Sequence, residues 1–302
     1  MSGAAAGHVA LIGVQLCFGF FPVFGRTAMD PVRGFDPFAV AVWRVVGGAL
    51  ILGVAAFAIY GRRAVPAAEK LPRLLLLALT GIVANQALYL SGLARSTAGN
   101  AGLMMCTIPV FTFAVAVVLR QEHFSPRRAA GVALSLVGVL PMVVGGSDAL
   151  LGEHAVGNLL MVGNCVCYAF YLVLSKPLRE ETPAVVLLFW NYALALPFVP
   201  LFLLNTSAFP LEGDPEVWLS LGYVVLFPTV FGYLLNVFAL GRVRASTTAL
   251  YIYLQPVVSA LGGAWLLGET LGPRAGVAAA ALFLGVWLVT GESKRRPRVH
   301  TR

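Results

Sequence analysis

Long apolar runs alternate along this chain with short segments that hold nearly all of its Lys, Arg, Asp and Glu. Ten such runs fall at about 7–29, 38–60, 73–93, 99–119, 129–146, 156–176, 183–204, 216–238, 247–267 and 274–291. Each approaches the roughly 20 residues that an α-helix needs to cross the hydrocarbon of a bilayer. Gly and Pro inside them do not argue against helix, because neighbouring helices can satisfy the backbone groups such residues free. Composition agrees: 59% of the 302 residues are apolar and 11% charged, whereas soluble domains carry about 25% charged residues. The pattern predicts an all-α integral membrane protein of ten transmembrane helices. No Lys or Arg precedes the first run, and it outlasts a signal-peptide core, so it reads as a first spanning helix.

Charge adds orientation. The net charge of +8 does not point to a nucleic-acid partner, because the basic residues sit between runs and in the tail. With the N-terminus cytoplasmic, the inside segments hold Arg62, Arg63, Lys70, Arg73, Arg120, Arg127, Arg128, Lys176, Arg179, Arg242, Arg244, Lys294, Arg295, Arg296, Arg298 and Arg302. The outside segments hold Arg26, Arg33, Arg95 and Arg274, sixteen against four, with Arg44 left inside a run. The positive-inside rule then places both termini in the cytoplasm, and two inside termini require an even number of spans. The expected location is the inner or plasma membrane. The basic tail from Lys294 to Arg302 is expected to rest against anionic lipid.

The chain also repeats itself. At an offset of 147, residues 83–139 fall on 230–286 without a gap. Arg95 meets Arg242, Pro109 meets Pro256, Glu122 meets Glu269, Pro126 meets Pro273 and Arg127 meets Arg274. Trp43 meets Trp190 at the same offset; at 150, Cys17 meets Cys167 and Phe20 meets Phe170. Apolar coincidences are common in such a composition, but coincidences of Arg, Pro and Glu at one offset are not. The halves are expected at 1–150 and 151–302. Five spans in each half, an odd number, turn the second half upside down. Such inverted repeats are the architecture of many secondary transporters.

Within each half recurs a small-residue stretch, a mid-span proline, and a Glu before a proline-containing connection. They read Ala98 to Gly102, Pro109, Glu122 and Pro126, then Ala245 to Ala249, Pro256, Glu269 and Pro273. On these residues the chain resembles the EamA type of drug/metabolite transporter over nearly its whole length. Gly268-Glu269 has the more typical form and Gln121-Glu122 departs from it. The resemblance implies ten spans as two five-helix repeats. It also implies transport of an amino acid, another metabolite or a drug, often outward, and it does not name the solute.

Several residues are candidates for contact with a solute. Pro109 and Pro256 lie near the middle of their spans, where proline removes a backbone donor and can free the carbonyls of Met105 and Ile252. Such a break either opens backbone to a buried cavity or simply kinks the helix. Asn164, Tyr168, Tyr171 and Ser175 form one polar stripe on the sixth span, and Asn85 and Tyr89 form another on the third. Tyr233 and Asn236 lie on the eighth span, Tyr251 and Gln255 on the ninth. Polar groups in hydrocarbon must face protein or water. These stripes therefore line a cavity or bond helix to helix, and as a set they favour a central cavity. Arg44, after Trp43, either snorkels outward or offers its cation to a carboxylate or phosphate. Glu122 and Glu269, at span ends, are expected to close helices or pair with Arg.

Rival chemistry finds little support. His8, His123, His154 and His300 lie at span ends or in connections, without HExxH spacing, and no phosphate-binding glycine loop appears. Neither an enzyme nor ATP-driven transport is expected, and no metal or cofactor is implied. Cys17, Cys106, Cys165 and Cys167 lie inside apolar runs and read as small packing residues rather than a disulfide framework. The expected partners are a small-molecule solute, the lipid bilayer and a second copy of the chain; the alternative is a non-transporting polytopic membrane subunit or a membrane-embedded enzyme.

Overall fold

The computed structural model describes residues 3–93, 95, 104–143, 154–255, 257–258 and three short pieces at 280–281, 284–285 and 287–288. Among these residues the chain is helical and contains no strand. Most of the expected tenth span, together with Ala98 to Gly102, Pro256, Glu269, Pro273 and the basic tail, lies outside the described residues.

Nine helical rods follow one another among the described residues. They are α1 (3–28, interrupted at Phe20), α2 (Pro37–Tyr60), α3 (71–93), α4 (Ile108–Val118), α5 (Pro126–Val143), α6 (Ala155–Glu181), α7 (Ala184–Phe202), α8 (Pro215–Leu240) and α9 (245–255). Five helical stretches, Pro37–Ala64, Ala68–Gly92, Ala155–Glu181, Ala184–Phe202 and Pro215–Leu240, are long and apolar enough to cross a membrane. The longest, Pro37–Ala64, has 28 residues, about 40 Å at 1.5 Å per residue.

Why these rods pack is visible on α2. Val42, Val45, Ala49, Leu52 and Ala56 are buried at spacings of three and four, while Val46, Leu50, Val54 and Phe57 are exposed between them. A water-soluble helix would make that second face polar. An apolar exposed face beside an apolar buried one suits a lipid environment. Close approach comes from small residues, as is usual where dispersion rather than water drives association. A Cβ on Gly157 of α6 would stand 2.6 Å from the Arg95 carbonyl oxygen and 2.8 Å from that of Gly92.

The connections collect at two faces. The near face carries Gly3, 61–70, 119–125 and 241–244; the far face carries 29–36 and 203–214. Thus α1 runs from near to far, and α6 runs from far to near.

Each face is tied across the two halves of the chain. At the near face, the Glu122 carboxylate accepts from the Ser246 hydroxyl at 2.6 Å and its backbone N–H at 3.2 Å, and from Arg128 at 3.2 Å. Glu122 and Arg128 are both buried. Within the second half, the Lys176 ammonium donates to the carbonyls of Leu240 and Val243, each at 3.0 Å, and so closes the last turn of α8. At the far face, Arg33 pairs with Asp214, and with Glu216 at 3.1 Å. The backbone N–H groups of Val32 and then Arg33, bonded to Asp30, hold that carboxyl below its ordinary range.

Two tryptophans make equivalent bonds at opposite faces. Trp43 Nε1 donates to the Ala208 carbonyl at 2.7 Å, and Trp190 Nε1 to the Ala64 carbonyl at 2.8 Å. These are the residues that the offset of 147 aligns.

Candidate functional site

The site begins with a proline that the sequence repeat does not single out. Pro228 lies inside α8 and has no N–H to give the carbonyl of Val224, four residues back. The helix widens there into a π-helical stretch, Val225–Gly232. The hydroxyl of Thr229, fully buried, donates to the Val224 oxygen at 2.9 Å. With its proton so committed, Thr229 Oγ1 accepts from Arg44 Nε at 2.9 Å. A missing donor in α8 thereby fixes the one charge inside α2. Wide turns of this kind often mark functional positions. Its counterpart is present too: α3 is π-helical over Leu79–Val83, the matching stretch at the offset of 147.

Arg44 lies about 10 Å along α2 from Pro37, counting 1.5 Å per residue. Its guanidinium is held inside the bundle rather than carried out to a face. Phe21 of α1 lies under it at 5.7 Å from the ring centroid, within cation–π range. Tyr89 of α3, Tyr192 of α7 and Tyr233 of α8 all lie within its electrostatic reach. Four helices from both halves thus surround one cation.

Tyr233 is the centre of an aromatic group, with Phe18, Tyr171 and Tyr192 at ring separations of 5.9, 6.2 and 6.1 Å, each edge-on. Tyr168 stacks on Tyr171 at 5.8 Å, and its hydroxyl accepts from Asn236 Nδ2 at 2.9 Å. Edge-on packing brings the positive ring edge to a negative face. Beside the rings, the buried side chains of Ser175 and Asn191 lie against the Tyr171 hydroxyl.

The predicted residues therefore divide. Arg44, Tyr89, Tyr168, Tyr171, Tyr233 and Asn236 come together. Asn164 supports them from the side, its amide donating to the Asn85 carbonyl at 2.6 Å to bind α6 to α3. Trp43 faces the far connection and packs edge-on against Phe209 and Trp218. Tyr251 bonds His8 at 2.9 Å near the start of α1. Gln255 is half-buried at the end of the described part of α9. Pro109 lies in the first turn of α4, which starts at Ile108 after a turn at Cys106 and Thr107. Met104, rather than Met105, has the carbonyl that side chains collect, from Thr107 Oγ1 at 2.6 Å and Cys165 Sγ at 3.2 Å. Before Pro256 the backbone tightens to a 3₁₀ turn at Tyr251–Tyr253.

Thr229, Tyr192 and Asn191 are not among the sequence candidates. For Asn191 a signal exists, since the offset that pairs Trp43 with Trp190 pairs Arg44 with Asn191. For Thr229 there is none beyond its neighbour Pro228. Pro228→Ala returns the missing donor, so we expect a higher melting temperature of the purified chain, by part of the ~3 kcal/mol that proline costs inside a helix. Equal or lower stability would show that the wide turn does not depend on the proline.

The model of the EamA-like transporter family matches residues 5–144 and again 155–291. Similar proteins include an uncharacterized transporter of Archaeoglobus fulgidus, 27% identical over 86% of this chain and 90% of its own length. A probable terminal-alkyne amino-acid exporter of Streptantibioticus cattleyicolor is 26% identical over 90% of this chain and 91% of its own. A solved crystal structure shares the fold, with a TM-score of 0.81 over 98% of this chain and 99% of that one at 17% identity. With a family model matched twice over an all-helical, apolar-faced bundle, the chain belongs to the EamA-like transporter family.

Proposed function

We propose that this chain is a secondary transporter that carries a small organic solute across the cell membrane by alternating access. Its ten spans form two inverted halves, 1–150 and 151–302, with both termini cytoplasmic. The observation that carries the reading is the Arg44 cluster, where α1, α2 and α3 of one half and α6, α7 and α8 of the other bring a cation, phenols and an amide together inside the bundle. Alternating access needs a binding site between two bodies and a closure on each side of it. The cross-half ties at the near and far faces have the positions such closures require. The near face is then the cytoplasmic one, in keeping with its basic connections. The amino-acid exporter among the relatives supports amino acids or related metabolites as solutes, and outward movement.

Purified full-length chain in proteoliposomes is expected to accelerate efflux or counterflow of at least one solute from a labelled amino-acid and metabolite panel. Flux no faster than in protein-free vesicles across the panel would favour a non-transporting subunit.

A further inference from the structure

We infer that Arg44 receives the carboxylate of the transported solute, and that this solute is an organic monocarboxylate with an apolar body. The inference rests on the transport reading and names the solute class for its site.

The first support is the guanidinium itself. Thr229 occupies Nε and the Tyr233 hydroxyl lies within hydrogen-bonding reach of the guanidinium, so the fork of Nη1 and Nη2 donors, which matches a carboxylate in two parallel hydrogen bonds, meets only neutral groups. Among the described residues, no acidic side chain pairs with Arg44. The buried carboxylate, Glu122, is committed at the near face to Ser246 and Arg128. A charge inside a membrane bundle is costly when no opposite charge meets it, and an incoming anion supplies that charge.

The second support is the number of charges. The groups around Arg44 are the hydroxyls of Thr229, Tyr89, Tyr192 and Tyr233 and the ring of Phe21. All are neutral side chains. One cation balances one negative charge, whereas a phosphate dianion would keep an uncompensated charge in a low-dielectric setting. The rings of Phe18, Tyr171 and Tyr233 offer the apolar contact that the rest of the solute needs.

The third support is the repeat. Trp43 and Trp190 occupy matching positions and make matching bonds, yet the residues after them are Arg44 and Asn191. Asn191 is fully buried in α7, so this place in the fold is built equally well without a charge. The cation is therefore not a packing requirement of that position.

The test uses purified full-length chain in detergent at pH 7, with congeners that share a body and differ at one end. These are 3-phenylpropionate, 3-phenylpropan-1-ol and 3-phenylpropylamine, with hexanoate and hexan-1-ol as a second set. Thermal stabilisation reports binding by mass action. Both carboxylates are expected to stabilise the chain saturably, at concentrations at least roughly tenfold below their alcohols or the amine. Arg44→Gln should weaken carboxylate binding roughly 10- to 100-fold, the usual range for losing hydrogen bonds to a charged group, and leave the alcohols within about twofold. Arg44→Lys keeps the charge without the fork and should lie between. Should Arg44→Gln fail to fold, Thr229→Val serves instead: it frees the guanidinium from its anchor and should weaken carboxylates while sparing alcohols. Three results would each overturn the assignment: carboxylates no better than alcohols, no stabilisation by either carboxylate, or wild-type carboxylate affinity in folded Arg44→Gln. Flux of a non-carboxylate without carboxylate binding leaves transport standing and removes Arg44 from the site. Arg44-dependent carboxylate binding without flux of any solute does the reverse.

Discussion

Glu122→Ala should destabilise the folded chain by about 3–5 kcal/mol, the range for removing one partner of a buried ion pair. The carboxylate is surrounded by Arg128, by the Ser246 hydroxyl and backbone N–H, and at longer range by Lys176. Its removal takes from the buried Arg128 charge the carboxylate at 3.2 Å, while the contact with the His123 carbonyl at 3.3 Å stays. Glu122→Gln keeps the acceptor for Ser246 and gives up the charge, so its cost should be smaller. The control is the double variant Glu122→Leu with Arg128→Leu, which removes both charges and should recover much of the stability. Thermal or denaturant unfolding of the purified chain measures all three. A Glu122→Ala chain as stable as the wild type would mean that the near-face contacts bear little on folding.

The second large effect belongs to Gly81, inside the π-helical stretch of α3. A Cβ there would stand 2.7 Å from Cε2 and Cγ of Tyr171, and closer still to Cδ2. Tyr171 is fully buried, with Tyr168 stacked on it and Tyr233 at its edge. The ring cannot yield without displacing the cluster around Arg44. Gly81→Ala should therefore cost about 1–3 kcal/mol by overpacking. Tyr171→Phe should not relieve it, because the clash is with ring atoms and not with the hydroxyl. Tyr171→Leu should, and a double-mutant cycle would read the coupling between the two positions. Additive costs would place the clash elsewhere.

The helices themselves are legible in the amino-acid sequence, because ten apolar runs of spanning length leave little room for another fold. The run at 38–60 corresponds to α2 at Pro37–Tyr60, and that at 216–238 to α8 at Pro215–Leu240. The site is legible where polar residues recur with helical spacing, as with Tyr168 and Tyr171 on α6 or Tyr233 and Asn236 on α8. Adjacency along the chain is a poorer guide. Trp43 is next to Arg44, but a helix turns by about 100° per residue, which aims the indole at the far connection. Thr229 stays hidden for a different reason. The repeat singles out features present twice, and the offset puts Gly81 opposite Pro228 and Ile82 opposite Thr229. What distinguishes the halves from each other falls outside what their likeness reveals. Tyr251 shows a third limit, since its partner His8 lies 243 positions away and no local pattern connects them.

The matched indole bonds of Trp43 and Trp190 have a practical use. Each joins its helix to a connection at one face only, and indole emission responds to hydrogen bonding and to water. Chains that keep one of the two and replace the other four of the five tryptophans would carry an optical probe for a single face. If the faces open in turn, Trp43 and Trp190 should change colour in opposite phases of the cycle, giving a light signal for each without any attached dye.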